Sequence, residues 1–315
     1  MSRIDQALSK TALTLHPGKV DTEAGNPWDI EGPTEVPATA PPSAGPAETG
    51  PAPADYPAEP TAAPTPGEPL IRRAGGSADV TADVMPPAMA ERVVGGALPL
   101  TVVEEYRRLG ALLHHMQMER DTKIVMITSA VAGEGKTLSA VNLALTLSGS
   151  YARRVLLIDA DLRRPSLAQV FNTVAVTGLG DLLRDPTITP PLVQVTPRLT
   201  LLTAGRPDSD PMGGLTSDRM RHLLVEAKDA FDFVLIDTPP VALMTDANLL
   251  AAMVDVTFLV LRAESTPYEL VKRATDAIGR HRIGGVILNR ARDGHTDLHD
   301  YAGYYESTYP ATRQA

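Results

Sequence analysis

Short apolar runs alternate with amphipathic segments through the second two thirds of the chain. The runs are rich in valine, isoleucine and leucine, and they predict buried strands at 123–129, 154–159, 199–203, 233–236, 256–261 and 285–288. Apolar residues at helical spacing between them predict helices at 102–118, from 136 onward, and at 217–229, 246–253 and 268–280. Strands that alternate with helices in this way favour an α/β fold with a doubly wound, mostly parallel sheet.

Residues 16–97 have a different composition. Sixteen of the 28 prolines fall between Pro17 and Pro87, and the same interval holds eleven acidic residues against three basic ones. The resulting balance of −8 accounts for most of the chain's formal −9, so the folded part is nearly neutral. Trp28 and Tyr56 are the only aromatic residues of the interval. Because such a segment buries too little apolar surface to offset its ordering entropy, we predict a disordered linker at 16–97.

The two ends of the chain carry patterns of their own. Residues 1–15 place apolar side chains at helical spacing, which predicts a short amphipathic helix, and the pattern fits both a docking helix and a frayed terminus. The segment 293–315 reads as a flexible, polar tail that follows a domain at 98–292. It holds four of the eight tyrosines, namely Tyr301, Tyr304, Tyr305 and Tyr309. Tyrosines outside a core are either incidental or present for their hydroxyl groups.

Composition also excludes several classes of function. The chain has no cysteine, which excludes thiolate metal sites, iron–sulfur clusters and disulfides and fits a reducing cytoplasm. No apolar run reaches the roughly 18 residues that cross a bilayer, so we predict no direct membrane span. A nearly neutral domain without a long basic stripe argues against nucleic-acid binding.

The sequence ITSAVAGEGKT at 127–137 joins a predicted strand to a predicted helix through a glycine-rich turn. Gly133 and Gly135 allow backbone N–H groups to surround phosphate oxygens at the helix N-terminus. Lys136 supplies a positive charge for the β and γ phosphates, and the Thr137 hydroxyl is a magnesium ligand. Ala130 replaces the first glycine of the motif, so this position must have a negative φ. The predicted nucleotide-binding residues of this loop are Ala132, Gly133, Glu134, Gly135, Lys136, Thr137 and Leu138.

Three carboxylates lie at or just after the ends of two predicted strands. Asp159 ends the strand at 154–159 and Asp161 comes two residues later, and Asp237 follows the strand at 233–236. Ligands bind at the carboxyl ends of strands in open parallel sheets, so these side chains should lie near the glycine-rich loop. Asp237 has the position of a Walker B aspartate, which helps to hold magnesium. We therefore predict Lys136 and the three aspartates as catalytic residues, and Thr137 with the same aspartates as the magnesium site.

The three motifs together resemble those of a known family. ITSAVAGEGKT, VLLIDADLR at 155–163 and FVLIDTPP at 233–240 are similar to the Walker A, A′ and B motifs of bacterial tyrosine autokinases of capsule and exopolysaccharide systems. The similarity runs from about residue 104 to residue 290. It implies a P-loop NTPase fold of the MinD and ParA type, with ATP and Mg²⁺ as cofactors.

The resemblance also implies roles for individual residues. Asp159 becomes the candidate acceptor of the tyrosine proton. Asn289 matches a position near the adenine base, although a strand-end capping role fits it as well. The family phosphorylates a C-terminal tyrosine cluster, which makes the four tail tyrosines candidate phosphoacceptors.

One family motif is incomplete in this chain. The oligomerisation motif ExxRxxR appears as Glu104 and Arg107, but Gly110 stands where its second arginine belongs. Glu104 and Arg107 remain the predicted oligomer contacts, and a homo-oligomer remains the prediction. Because Gly110 replaces the second arginine, the sequence leaves open how many subunits the oligomer contains.

The sequence therefore predicts an ATP-dependent protein-tyrosine autokinase that regulates polysaccharide synthesis or export. We expect a cytoplasmic protein that a membrane-embedded polysaccharide co-polymerase, acting as activator, recruits to the inner face of the cell membrane. Two alternatives are a positioning ATPase of the ParA and MinD kind and a non-catalytic, nucleotide-binding adaptor of an export complex. Val131 stands where the first of these alternatives carries a lysine, which argues against it.

Overall fold

The computed structural model describes residues 85–173, 176–185, 187–188, 192–242 and 245–291, without the side chains of residues 245 and 246. The predicted helix at 1–15, most of the predicted linker and the tyrosine-rich segment at 293–315 lie outside these residues. In the part of the chain that is described, none of the helices is both long enough and apolar enough to cross a bilayer.

Seven strands form one sheet within the described residues. Their spatial order is β3-β4-β2-β5-β1-β6-β7, and all neighbours are parallel except β3, which runs antiparallel to β4. The strands are β1 Ile124–Ser129, β2 Val155–Asp159, β3 Val193–Thr196, β4 Leu199–Leu202, β5 Phe233–Asp237, β6 Val256–Arg262 and β7 Ile283–Asn289. The central strands β1, β2 and β5 are buried along their whole length, as expected for parallel strands covered on both faces.

Helices cover both faces of this sheet. Ile124 and Met126 of β1 pack into one core layer, while Val125 and Ile127 pack into the other, as the alternation of a strand requires. The helices are α1 Pro87–Ala90, α2 Leu100–Arg120, α3 Lys136–Gly149, α4 Leu167–Val170, α5 Leu179–Arg184, α6 Met212–Leu215, α7 Asp218–Ala230, α8 Thr245–Ala251 and α9 Tyr268–Ile278. The predicted doubly wound, mostly parallel fold is thereby confirmed.

Residues ahead of the predicted boundary at residue 98 contact the domain. Val93 is 5% exposed, and Val94 N donates a hydrogen bond of 2.7 Å to Asn142 Oδ1 on α3. Residues 85–97 were assigned to the linker because prolines and small residues dominate the region. Composition averaged over 80 residues conceals three apolar side chains, Met85, Met89 and Val93, that reach the core.

The topology brings the predicted site together. In the parallel pairing of β2 with β5, Asp159 lies opposite Asp237 in register. Strand β1 is the other neighbour of β5, and it leads directly into residues 130–135 and then into α3. The carboxyl ends of β1, β2 and β5 therefore meet at one edge of the sheet, next to the N-terminus of α3.

Candidate active site

Residues 130–135 form a tight loop between β1 and α3. Gly133 and Gly135 have φ of 84° and 96°, in the left-handed region that L side chains rarely adopt. A Cβ on Gly135 would lie 2.0 Å from Asn289 Nδ2, so side-chain crowding reinforces the need for glycine. Ala130 is not among the residues with positive φ, which agrees with the negative φ predicted for it.

The Glu134 side chain holds this loop in shape. It is 2% exposed, and its Oε2 accepts a hydrogen bond of 2.8 Å from Val131 N within the loop. Its Oε1 accepts hydrogen bonds from the Thr266 hydroxyl and, at 3.4 Å, from the backbone N–H of Arg262, the last residue of β6. The carboxylate is directed into the domain, so any contact of Glu134 with a nucleotide has to come from its backbone.

Asn289 also supports the loop. Its Nδ2 donates a hydrogen bond of 2.8 Å to the carbonyl oxygen of Glu134. This contact fits the capping alternative for Asn289 better than a position beside a base. The neighbouring Arg290, which sequence reasoning did not single out, lines the cleft instead.

Lys136 and Thr137 open α3 and contact the carboxylates directly. Lys136 Nζ lies 2.9 Å from Asp161 Oδ2 and 3.5 Å from Asp237 Oδ1. Thr137 Oγ1 donates a hydrogen bond of 2.7 Å to Asp237 Oδ2. The hydroxyl of Ser166 lies 3.2 Å from Thr137 Oγ1, which adds a polar residue that the sequence analysis missed.

Asp159 is the most enclosed member of the group. Its Oδ2 accepts hydrogen bonds of 3.0 and 2.9 Å from the backbone N–H groups of Ser166 and Leu167, and Asp161 N donates to its Oδ1 at 3.2 Å. Burial and the neighbouring Asp237 carboxylate raise the pKa of Asp159 to about 7, although the two N–H groups oppose the shift. The side chain is fully buried, so Asp159 lies beneath the cleft and not in its wall.

The remaining charges show an excess of carboxylate over ammonium. Burial raises the pKa of Asp237 above its ordinary value despite the opposing attraction of Lys136. Burial by itself would lower the pKa of Lys136, but its attraction to Asp237 and Asp161 outweighs burial and raises it. The pKa of Asp237 is therefore raised by its burial, and the pKa of Lys136 is raised by the carboxylates that surround it.

A cleft of about 570 Å³ lies above these residues. Among the aspartates, Asp161 contributes to its wall, whereas Asp159 and Asp237 lie below it. Four of its lining residues are arginines, and this positive rim was not predicted. The wall comprises Arg92, Ala132, Gly133, Gly135, Lys136, Thr137, Leu138, Asp161, Arg163, Arg164, Pro239, Pro240 and Arg290.

The donor set fits a magnesium ion that arrives with a nucleotide. Asp237 Oδ1 is buried and accepts no hydrogen bond, although Lys136 Nζ lies 3.5 Å away. Thr137 Oγ1 and the Asp161 carboxylate add further oxygen atoms at the same place. Across the described residues, no three His, Cys, Asp or Glu side chains converge as a metal cage. Mg²⁺ commonly binds through one or two protein carboxylates together with phosphates and water, which is the arrangement that this site offers.

The predicted oligomer contacts lie on α2, away from the cleft. Glu104 and Arg107 form an ion pair with each other one turn apart. Gly110 is buried beneath Tyr151, whose hydroxyl donates a hydrogen bond of 2.7 Å to the Arg107 carbonyl. The position of the missing arginine is therefore filled by the Tyr151 ring.

Comparisons with known proteins agree with this geometry. The CobQ/CobB/MinD/ParA nucleotide binding domain matches residues 125–310. The tyrosine-protein kinase YwqD of Bacillus subtilis is 34% identical over 206 residues, which cover 64% of this chain and 85% of YwqD. The succinoglycan biosynthesis transport protein ExoP of Rhizobium meliloti is 32% identical over 231 residues, 70% of this chain but only 28% of ExoP. The crystal structure of the VpsO kinase domain superposes with a TM-score of 0.55 at 34% identity, covering 61% of this chain and 96% of that domain.

Proposed function

We propose that this chain, which belongs to the bacterial tyrosine-protein kinases within the CobQ/CobB/MinD/ParA nucleotide-binding family, is an ATP- and Mg²⁺-dependent protein-tyrosine autokinase. The observation that carries the proposal is the cluster of Lys136, Thr137, Asp161 and Asp237 at the N-terminus of α3, in an arginine-rimmed cleft whose wall includes the first three of these residues. A cation, a hydroxyl and carboxylates at a glycine-rich loop are what phosphoryl transfer needs for positioning and charge neutralisation.

Each residue of the cluster has a proposed task. The backbone N–H groups of the loop and of the first turn of α3 hold the phosphates, and Lys136 neutralises charge on the transferred group. Thr137 and Asp237 hold the magnesium ion, which supplies further charge neutralisation when it is bound. Ser166 supports Thr137 through the contact between their hydroxyls.

The tyrosine hydroxyl must lose its proton as it attacks. Asp159 remains our proposed acceptor, because a carboxyl pKa of about 7 is close to the operating pH. Its burial means that the Ser166 and Leu167 N–H contacts have to open for this role. Asp161 lies in the wall of the cleft and is the alternative acceptor.

We propose Tyr301, Tyr304, Tyr305 and Tyr309 as phosphoacceptors. They lie ten to eighteen residues beyond Ala291, the last described residue, and this length of chain extends over roughly 30 to 60 Å. Such a reach allows a tyrosine to enter the cleft of a neighbouring copy. Transfer between copies is therefore our proposal, together with a homo-oligomer in which Glu104 and Arg107 form contacts.

The cellular setting is proposed from the relatives. ExoP is described as a transport protein of succinoglycan biosynthesis, and this chain corresponds to 28% of its length. We propose that the chain regulates polysaccharide synthesis or export, and that a membrane-embedded co-polymerase binds it at the inner face of the membrane and raises its activity. The MinD and ParA alternative shares only the broader fold, and a catalytically inactive adaptor differs in the outcome of a phosphotransfer assay.

The test is labelling of the purified protein with radioactive Mg-ATP, followed by mapping of phosphotyrosine. Lys136→Met should lower incorporation at least about 100-fold, because it removes the ammonium that lies directly at the Asp161 and Asp237 carboxylates, whereas the arginines line the wall of the cleft. Lys272→Met is the matched control, since Lys272 is exposed on α9 and should leave labelling unchanged. Equal labelling of the parent and the Lys136→Met protein would contradict the site assignment.

A mixing experiment then tests transfer between copies. An inactive Lys136→Met chain with its natural tail is combined with an active chain whose four tail tyrosines are phenylalanine. Phosphate should appear on the inactive chain. If the parent labels itself but this mixture stays unlabelled, transfer occurs only within one chain.

A further inference from the structure

The segment at residues 85–96, which we call the strap, lies ahead of α2 and against the domain. Met85 and Met89 pack against the core layer that contains α3, and Val93 is buried in that layer. Three apolar side chains thus anchor a segment whose composition predicted a linker.

A buried amide fastens the strap to α3. Asn142 is 3% exposed, its Oδ1 accepts a hydrogen bond of 2.7 Å from Val94 N, and its Nδ2 donates one of 3.2 Å to the Arg92 carbonyl. The Tyr106 side chain of α2 also lies near Asn142 and Ser139. Because both ends of the amide are used by the strap backbone, Asn142 fixes residues 92–94 relative to α3.

This attachment brings Arg92 to the cleft. The Arg92 side chain lines the cleft together with Gly133, Lys136 and Leu138. Leu138 and Asn142 are four residues apart and lie on the same face of α3, so the strap crosses that face one turn from the phosphate-binding loop. Among the described residues, the exposed Arg92 guanidinium has no ion-pair or hydrogen-bond partner.

We propose that the strap is part of the nucleotide site and that the Arg92 guanidinium binds phosphate oxygens of the bound nucleotide. The proposal rests on the nucleotide binding proposed above. Arg92 lies outside the 125–310 region that the nucleotide-binding family covers, so that match gives it no role. Its planar group donates up to five hydrogen bonds and stays charged, which suits a polyphosphate.

Asn142 acts in this proposal as a positioning residue. It does not line the cleft, and it affects the nucleotide only through the placement of Arg92. A nucleotide that binds Arg92 also draws the strap onto α3, so occupancy of the cleft and order of the strap are coupled.

The experiment titrates the full chain with a fluorescent methylanthraniloyl-ATP in the presence of Mg²⁺. Arg92→Ala should raise the Kd about 5- to 20-fold, as expected for a charge-assisted contact at a partly exposed position. Arg92→Lys should recover part of this loss because it keeps the charge. Two controls are Glu91→Ala, an exposed neighbour on the strap, and Arg198→Ala, an exposed arginine at the β3–β4 turn, and both should stay within twofold of the parent.

The outcomes separate this proposal from the proposed function. If the parent itself does not bind the probe, the proposed function fails, and with it the ground for this inference. If the parent binds and Arg92→Ala stays within twofold, only the inference is overturned. It is also overturned if Arg92→Lys is no better than Arg92→Ala, or if Arg198→Ala weakens binding as much.

A double-mutant cycle tests the positioning role. Asn142→Ala should raise the Kd in the parent but change it less than twofold when Arg92 is already alanine. Equal effects of Asn142→Ala in both backgrounds would overturn the positioning role. Asn142→Ser, which keeps a buried polar group, gives the same comparison if the alanine variant does not fold.

Discussion

Replacing Gly110 by alanine is a sharp test of the packing of α2 against Tyr151, which lies two residues beyond α3. Alanine normally stabilises a helix by about 1 kcal/mol relative to glycine. A Cβ on Gly110, however, would lie 2.6 Å from Cε2 and 3.2 Å from Cδ2 of Tyr151. The ring has to move by about 1 Å to restore ordinary contact, which endangers the hydrogen bond of 2.7 Å from its hydroxyl to the Arg107 carbonyl.

The magnitudes decide the sign of the change in stability. Displacing a packed side chain costs about 1 to 3 kcal/mol, and a lost hydrogen bond costs about 0.5 to 1.5 kcal/mol. Against these stands the gain of about 1 kcal/mol in helix propensity. We therefore expect Gly110→Ala to lower the free energy of unfolding by about 0.5 to 3.5 kcal/mol.

The assay is equilibrium unfolding in urea, with Tyr151→Ala as the second arm of a cycle. Once the ring is gone, Gly110→Ala should be neutral or stabilising by up to about 1 kcal/mol. Gly149→Ala is a control at the end of α3, because a Cβ there meets no atom within 4 Å. A coupling energy between positions 110 and 151 below about 0.5 kcal/mol would refute the reasoning.

Three further predictions concern the site. The pKa of Asp159 is raised to about 7, so the folded chain keeps a proton that the unfolded chain has lost, and this group lowers stability as pH rises from about 4 to 7. Mg-nucleotide binding should therefore release about one proton at pH 6 and none at pH 8.5. The measurement is calorimetry in two buffers of different ionisation enthalpy, and a binding enthalpy at pH 6 that is the same in both buffers would contradict the prediction. Gly135→Ala should destabilise the domain more than Gly133→Ala by about 1 to 3 kcal/mol, because both glycines have positive φ but only Gly135 faces Asn289 Nδ2. Equal decreases in the melting temperature of the two variants would contradict this prediction. Asp159→Asn should remove the acidic limb of the pH–rate profile of autophosphorylation, whereas Asp161→Asn should lower the rate at all pH values, and the reverse pattern would make Asp161 the proton acceptor.

Much of the fold follows from patterns that the sequence carries locally. The buried strands β1, β2 and β5 are continuous apolar runs, so their positions were predicted to within one residue. Strand β3 was missed because three of its four residues are only partly buried and the strand forms no apolar run. Its pairing with β4 depends on the turn at residues 197 and 198 and not on a hydrophobic pattern.

The site was predictable only where a motif fixes backbone geometry. Lys136, Thr137 and Asp237 follow from the loop and from the strand end, and they contact one another as expected. Ser166 lies beside Thr137, which is 29 residues away in the sequence. Arg92 lines the cleft with Lys136, which is 44 residues away. Only the folding of the chain brings these residues to the site. Glu134 lies inside the motif, but the direction of its side chain is set by Thr266 and Arg262, which no local pattern connects to it.

The register between β2 and β5 has a consequence for the lifetime of the protein. Pairing Asp159 with Asp237 places two carboxyl groups side by side at the carboxyl ends of these strands, where burial and their mutual repulsion raise the pKa of Asp159. Nucleotide with its cation relieves that repulsion, and any ligand that binds only the folded state stabilises it by mass action. A copy that loses its nucleotide therefore unfolds more often and is exposed to proteases sooner. We expect the abundance of this protein in a starving cell to fall with the nucleotide supply, even at constant synthesis.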